Sequence, residues 1–421
     1  MCFKGGGYLL VKYPLKKYDA HSLIKVFCME KAHSNIVVVG GGIAGLWLYR
    51  RLRDEGKQAV LIEKDALGKG QTISSQAMVH GGQRYALQGH DTKHARNIAN
   101  MPGIWEDCLE GTGEIDLSKA EKASETQVMW SPGTLASKVT AFFASKTMRA
   151  RVNAIKPNLY PAALQSDAFK GNVYQMDECV LEMHSVLKAL VGAYTDGVYQ
   201  GTITKFNREE DGFSSVVVEQ DGKEIELSAD HFVFTAAQGN ELALEALGIK
   251  PEDESQRRPL HQIMVKGDLP EIQGHCLAAD YEPRMTITTH HTKEGETVWY
   301  LGGRVSTRTT ELSAAENIAQ AKAELEDVFP WIDWQSKQWS TLLIDRAEPK
   351  YVMGLGDGPV VKTYGNVKIC WPTKLTFAPG LSEVVMEELA EEMKEGVVVN
   401  LPLPHPDIAT YPWDETQWQT V

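Results

Sequence analysis

The sequence predicts an α/β protein with a parallel sheet in its first domain and a second, α+β domain built on an antiparallel sheet. Near the N-terminus, β-branched residues at 36–39 precede a glycine-rich turn, an amphipathic stretch over 46–52 and a second apolar run that ends at Glu63. Further along, three short segments alternate apolar and polar side chains, as antiparallel strands with one face in water do. These segments are residues 262–265, 285–289 and 297–301.

The glycine-rich turn has the Gly-x-Gly-x-x-Gly spacing of a dinucleotide-binding site. Gly40 permits the tight turn, Gly42 lets the backbone approach a pyrophosphate, and Gly45 lets the helix pack closely on the strand. The helix N-terminus then faces the phosphates. Glu63 follows Gly45 by 18 residues, where its carboxylate can accept hydrogen bonds from ribose hydroxyls, and we assign the adjacent Lys64 to the same site. The alternative is a buried strand and turn without a ligand.

Length and composition limit the classes of function. A chain of 421 residues is expected to hold about two domains. Its formal net charge of −13 disfavours nonspecific binding to nucleic acid, so we expect a small-molecule substrate. Six scattered cysteines suggest a reduced, cytoplasmic protein, and no apolar run has the roughly 18 residues of a transmembrane segment. The lysine-containing residues 1–28 lack a signal-peptide core, so we expect a dispensable extension, with a targeting role as the alternative.

The remaining patterns predict a discontinuous arrangement. Residues 83–150 are expected to be mainly helical, and further helices are expected at 178–194 and 314–329. A hairpin is predicted around Asp221-Gly222, followed by a separate strand at 231–235. We assign residues 29–85, 178–256 and 345–400 to the nucleotide-binding domain, residues 86–177 and 257–344 to the substrate domain, and residues 401–421 to a C-terminal tail.

Three further blocks follow the glycine motif in a fixed order. They are residues 74–85, residues 229–239, and a closing series made of Arg346 and residues 357–361, 366–367 and 377–380. In this order they resemble the D-amino-acid oxidase and glycine oxidase superfamily, with local similarity to FAD-linked glycerol phosphate dehydrogenases. The resemblance spans about residues 34–396. It implies an FAD-binding Rossmann-like domain, a substrate domain, and hydride transfer from a small amino acid, amine or 2-hydroxy acid to the flavin.

The resemblance also implies roles for individual cofactor-binding residues. Ser74 and Ser75 would lie near the phosphates, and Gly81 and Gly82 near the isoalloxazine. Ala236 and Gly239 would lie beneath the cofactor at the end of a strand. Lys374 stands where glycine oxidases carry a glycine-rich loop. It would place a cation near the pyrimidine edge of the flavin, or it would be a solvated loop lysine.

Arg346 and His80 are the candidates for catalysis. Arg346 matches the position where amino-acid oxidases of the family hold the substrate carboxylate, although a structural ion pair is the alternative. Arg304 is a weaker candidate for the same pocket. His80 would act as a base for a hydroxyl substrate, attach the flavin covalently, or merely pack. No metal site is expected, because the adjacent His290 and His291 would point to opposite faces of a strand.

Two other functions remain open from the sequence. An NAD-linked dehydrogenase would share the glycine motif, and a flavin-fold protein could bind a partner without catalysing oxidation. The shortened segment at 371–376 leaves the second possibility open. Oxygen, a quinone or another protein are the candidate electron acceptors.

Overall fold

The structure is a computed structural model that describes residues 29–79, 93–131, 152–278, 283–350 and 358–421, with only the backbone of residues 93–99. The helices of these residues are α1 (Ile43–Asp54), α2 (Lys93–Leu109), α3 (Met183–Val191), α4 (Asn240–Ala246), α5 (Pro251–Glu254), α6 (Arg304–Thr307), α7 (Ala314–Val328), α8 (Ala378–Leu389) and α9 (Pro412–Glu415). The predicted extension at 1–28 lies outside the described residues.

The described strands fall into two large sheets and a small one. The first sheet contains β1 (Glu30–Val39), β2 (Ala59–Glu63), β8 (Val198–Gln200), β9 (Thr202–Glu209), β10 (Gly212–Gln220), β11 (Lys223–Phe234), β17 (Val360–Tyr364) and β18 (Val367–Trp371). The second contains β4 (Gln127–Ser131), β5 (Val152–Ala154), β6 (Asn172–Met176), β12 (Ser255–Lys266), β13 (Gly274–Cys276), β14 (Met285–His291), β15 (Thr297–Gly302), β16 (Gln338–Pro349) and β19 (Gln419–Thr420). β3 (Lys122–Ser124) pairs with β7 (Val180–Leu181).

The first sheet runs in the order β17-β18-β11-β1-β2-β8; in addition, β10 pairs with β11, and β9 pairs with β10. β1 lies between β2 and β11 and is parallel to both. Its apolar side chains are buried on both faces, Ile36 and Val38 on one side and Val37 and Val39 on the other. This explains the unbroken apolar run of the motif strand. The glycine turn follows the carboxyl end of β1, where open parallel sheets bind their ligands.

The predicted hairpin is present, but its second arm is longer than the sequence suggested. Asp221 and Gly222 adopt positive φ values of 52° and 77°, and β10 pairs with β11 around them. The arm and the separately predicted strand at 231–235 belong to one continuous strand, β11. Polar side chains at its centre hid this continuity. The structure satisfies them, since the Ser228 hydroxyl donates to Ala32 O at 3.2 Å and Asp230 accepts from Asn35 at 2.8 Å.

The second sheet is antiparallel except where β13 pairs with β4, and its two faces differ. On one face, Ile263, Val265 and Leu301 join a core with residues of α7. Because side chains alternate along a strand, Gln262, Met264 and their neighbours on adjacent strands occupy the opposite face. One face of the second sheet therefore packs against α7 in a hydrophobic core, and the opposite face lies outside that core.

The C-terminal segment joins the two sheets. Ile408 forms a β-bridge with Leu67, which follows β2 in the chain, and Ala409 N donates to Leu67 O at 3.0 Å. Further on, β19 pairs with β16 of the second sheet. Trp413 is 2% exposed and stacks on His290, with ring centroids 4.3 Å apart. The predicted tail is thus a packed connection across both sheets.

Candidate active site

A cavity of about 1660 Å³ is lined by residues of both large sheets. It is larger than the roughly 300–1,000 Å³ of a pocket for a drug-sized ligand, so it can accommodate a dinucleotide together with a substrate. Its first wall comprises the glycine turn and the ends of β2 and β11. Its second wall comprises β12, β16 and part of the C-terminal segment.

The glycine turn is packed so closely that side chains are excluded. Gly40 has φ +108°, which L-residues rarely adopt. A Cβ at Gly45 would lie 2.5 Å from Thr235 Oγ1 and still closer to the carbonyl oxygen of Gly40. Thr235 Oγ1 is itself within 3.1 Å of Val39 O and 3.0 Å of Gly40 O. The ends of β1, α1 and β11 therefore meet without spare volume.

The N-terminus of α1 opens onto the cavity. Gly42 is the N-cap and supplies no side-chain cap, and the first turn contains no acidic residue. Gly42 and Ala44 line the cavity, and their N–H groups have no hydrogen-bond partner within the described ranges. The Ile43 N–H donates to Thr72 Oγ1 at 3.0 Å. Unpaired N–H groups at the positive end of a helix dipole fit a diphosphate.

Glu63 closes the turn from the end of β2. Its Oε2 accepts from Gly41 N at 2.6 Å, and its Oε1 accepts from Asp65 N at 2.9 Å. Burial raises the pKa of Glu63, although the two backbone N–H groups act in the opposite direction. Each carboxylate oxygen retains further acceptor capacity, which fits hydroxyl groups of a ribose.

We expect Glu63→Gln to weaken dinucleotide binding at neutral pH by roughly 10-fold, the size of one charge-assisted hydrogen bond. In the unsubstituted protein, affinity should also fall as the pH drops through the raised pKa of Glu63, because protonation removes acceptor capacity. Fluorescence titration of the cofactor between pH 5 and 8 measures both effects. An equally steep pH dependence in the glutamine variant would assign the titration to another group.

Most of the other predicted cofactor residues line the same cavity. Lys64, Ser74, Ser75, Ala236, Gly239 and Lys374 do so, together with Gly40, Gly42 and Glu63. Gly45 lies behind the turn. The Ser75 hydroxyl is used within its own loop, because it donates to Thr72 O at 2.8 Å and accepts from Ala77 N at 3.2 Å. His80, Gly81 and Gly82 lie outside the described residues.

Hydrogen bonds attach the loop that carries Ser74 and Ser75 to the second sheet. Gln76 Nε2 donates to Thr286 O at 3.2 Å and to Tyr300 O at 3.0 Å. The Tyr300 hydroxyl donates to Ser74 O at 2.8 Å. Neither Gln76 nor Tyr300 was predicted from the sequence to support the site. A lone glutamine and a strand tyrosine carry no local motif, so only the pairing of the strands reveals their role.

Arg346 lies on β16 at the edge of the cavity. The strand adjoins the predicted cofactor residues there, because Gln238 Nε2 donates to Asp345 O at 2.7 Å. Arg346 also forms an ion pair with the buried Glu348 at 3.5 Å, which Arg258 contacts at 2.9 Å. Thus the residue has both the cavity position expected of a substrate ligand and a structural ion pair. Arg304, in α6, does not line the cavity.

Two groups of histidines have different environments. His275 lines the cavity, and its Nδ1 is 2.9 Å from Thr286 Oγ1. Burial lowers the pKa of His275 to about 4, so the ring is neutral near pH 7. His290 is partly buried and stacks on Trp413, whereas His291 is 55% exposed and lies 3.3 Å from Glu271. In the described part of the chain, no three His, Cys, Asp or Glu side chains converge on a metal position.

Comparison with known proteins identifies the family. A sequence profile described as FAD dependent oxidoreductase (DAO) matches residues 35–367. The chain belongs to this family. It is also 41% identical over 386 residues to the probable FAD-dependent oxidoreductase PA4991 of Pseudomonas aeruginosa, a match that covers 90% of this chain and 97% of that protein.

Several solved structures share the fold of this chain. The crystal structure of PA4991 superimposes with a TM-score of 0.78 at 36% identity, covering 91% of this chain and 98% of that chain. L-proline dehydrogenase from P. horikoshii has a TM-score of 0.61 at 14% identity, covering 87% and 95%. Glycine oxidase from Geobacillus kaustophilus has a TM-score of 0.57 at 16% identity, covering 85% and 95%. The last two show likeness of fold alone.

Membership in the DAO family makes FAD the cofactor and the protein an oxidoreductase. The structure fits this cofactor at the cradle formed by the glycine turn, the open N-terminus of α1 and Glu63. These groups would hold the diphosphate and the ribose. Among the described helices, none combines the length and apolar character needed to cross a lipid bilayer.

Proposed function

We propose that this DAO-family protein oxidises the amine-bearing carbon of a small amino acid or amine. The observation that carries the proposal is the continuity of the cavity, which joins the glycine turn to the face of the second sheet and to Arg346. When bound, FAD supplies the acceptor for the hydride. The names of two structural neighbours, glycine oxidase and L-proline dehydrogenase, support an amino-acid substrate.

The chain's own residues would bind and orient the substrate. Arginine's planar fork suits a carboxylate, so we assign the substrate carboxylate to Arg346. Leu260, Met264 and Leu342 line the same wall with apolar surface. Such a wall excludes water from a bound substrate and strengthens the hydrogen bonds that orient it.

An anaerobic screen tests the proposed function. The holoenzyme is mixed with glycine, N-methylglycine, L-proline, pyrrolidine, glycolate and L-lactate, and loss of flavin absorption is recorded. We expect one or more of the amino acids or the amine to bleach the flavin, and the 2-hydroxy acids to leave it oxidised. Bleaching by glycolate or lactate alone would replace the amine by a hydroxyl as the oxidised group.

Lys374 offers a separate test of how the protein tunes the flavin. Its Nζ lies 5.5 Å from the centroid of Phe377, beside the cavity. If it neighbours the pyrimidine edge, Lys374→Met should lower the midpoint potential of bound FAD by roughly 30 mV, equivalent to about 1.4 kcal/mol. Lys69→Met is the control, because Lys69 also lines the cavity but belongs to the loop near the glycine turn. Equal potentials in the two variants would make Lys374 an ordinary loop lysine.

A further inference from the structure

Gln262 is a buried amide on the cavity wall. It lies on β12, is 4% exposed and lines the cavity. Its Oε1 has no hydrogen-bond partner in the part of the chain that the structure describes. Buried polar atoms are nearly always paired, because an unpaired one loses its hydration without compensation. A half-turn of the terminal amide exchanges the positions of its oxygen and nitrogen, so a ligand in the cavity that supplies a donor can pair with this buried acceptor.

Packing does not account for an amide at this position. Ile263 and Val265 face the core around α7, which directs Gln262 towards the cavity. Its neighbours on that face are Leu260 and Met264 along the strand and Leu342 opposite it on β16. A methionine of similar length would suit these apolar neighbours better than a carboxamide does.

The polar side chains around Gly302, beside Gln262, are uncharged. Ile263 pairs with Leu301, so Gln262 comes beside Gly302 of β15. Gln76 rests on Gly302, where a Cβ would collide with its Oε1 and lie 3.0 Å from its Cδ. Thr286 and the neutral His275 line the wall nearby. These neighbours of Gln262 thus offer hydrogen-bonding groups without a carboxylate.

We propose that Gln262 accepts a hydrogen bond from the N–H of the substrate amine and so determines specificity for amines over isosteric ethers. This inference rests on the proposed amine oxidation. A hydride can leave the carbon only while the nitrogen lone pair is available to form the C=N bond, so the reacting amine must be neutral. A carboxamide oxygen binds a neutral N–H without favouring the ammonium form, whereas a carboxylate would favour it.

Two pairs of probes test the hydrogen bond in the holoenzyme. L-proline is paired with 2-tetrahydrofuroate and N-methylglycine with methoxyacetate, because each pair differs only by an N–H in place of an ether oxygen. Dissociation constants are taken from the flavin absorption change on anaerobic mixing, before reduction. We expect the protein to prefer at least one amine to its ether by roughly 10-fold, and Gln262→Met to remove that preference. Gln256→Met, on the same strand but outside the cavity lining, should retain it.

Stability provides a readout that does not depend on catalysis. Because Oε1 is unpaired, Gln262→Met should raise the melting temperature of the FAD-free protein by roughly 1–3 °C. A glutamine that serves the fold would instead lower it. Gln262→Glu should move the pH dependence of flavin reduction upward by about one unit, because a carboxylate raises the pKa of the bound amine.

The outcomes separate this inference from the proposed function. It is overturned if the unsubstituted protein binds both ethers as tightly as the amines, if it binds neither amine, or if Gln262→Met keeps the preference or lowers the melting temperature. In all these cases, flavin reduction by another amine of the screen would leave the proposed function standing. Failure of every amine and amino acid to reduce the flavin would overturn the proposed function itself.

Discussion

Gly45→Ala is expected to reduce FAD affinity by roughly 100-fold, the effect of a backbone displacement that costs about 3 kcal/mol. The added methyl group would meet Thr235 Oγ1 at 2.5 Å and collide with the Gly40 carbonyl. Rotation of the Thr235 side chain would leave the closer contact in place, because that contact is with backbone. The N-terminus of α1 must therefore move away from β1, which displaces the N–H groups that would bind the diphosphate. Titration of the FAD-free protein with FAD measures the loss.

Gly103→Ala is the matched control for this substitution. Gly103 lies within α2, and a Cβ placed there meets no atom of the described residues within 4 Å. The change should leave FAD affinity unaltered and stabilise the helix by about 0.5–1 kcal/mol. If Gly45→Ala bound FAD as tightly as Gly103→Ala does, the glycine turn would not be the diphosphate site.

Arg346→Met is expected to raise the KM for an amino acid by about 10- to 100-fold, because it removes charge-assisted hydrogen bonds to the substrate carboxylate. An amine without a carboxylate, such as pyrrolidine, should show little change. Steady-state kinetics with the substrate from the screen and its decarboxylated analogue measure this contrast. A loss equal for the two substrates would indicate a disturbed fold instead of a lost contact.

Arg258→Met separates substrate binding from the structural ion pair. Both arginines contact Glu348, but only Arg346 lines the cavity. The two variants should therefore lose similar stability through Glu348, while only Arg346→Met changes the KM. Similar kinetics in both variants would assign Arg346 to the ion pair alone.

The nucleotide motif could be predicted because its residues are close in sequence. Gly40, Gly42 and Glu63 meet within one strand-helix-strand unit, whose geometry follows from their spacing. The helix predicted at 314–329 is likewise found at Ala314–Val328, because Ser313 and Glu316 form a capping box. Local chemistry sets both features.

Features that depend on distant pairing were harder to predict. The helix expected at 178–194 is shorter, at Met183–Val191, because Val180–Leu181 pairs with β3 and Glu182 accepts hydrogen bonds from the first helical N–H groups. Part of the expected helical region at 83–150 contains strands, including β4, whose partners lie far along the chain. Apolar runs alone do not distinguish these structures. The domain boundaries drawn from the sequence stay a prediction.

The orientation of Gln262 on the second wall of the cavity was likewise hard to predict from the sequence. Gln262 stands in an alternating segment that predicts a strand, but the sequence does not say which face it occupies or that its amide lacks a partner. The structure shows the face, because Ile263 and Val265 lie in the core and Gln262 therefore points to the opposite side. The surrounding residues of the folded chain show that the amide oxygen has no partner among the described residues.

Gln76 and Tyr300 connect the cofactor side of the cavity with the second sheet, so binding on one side is expected to affect binding on the other. Both fasten the serine loop beside the cofactor cradle to β14 and β15. A compound that stiffens these strands also steadies the loop, and linkage requires the cofactor to favour that compound by the same factor. An inhibitor that binds these strands is therefore expected to raise the affinity of the protein for FAD.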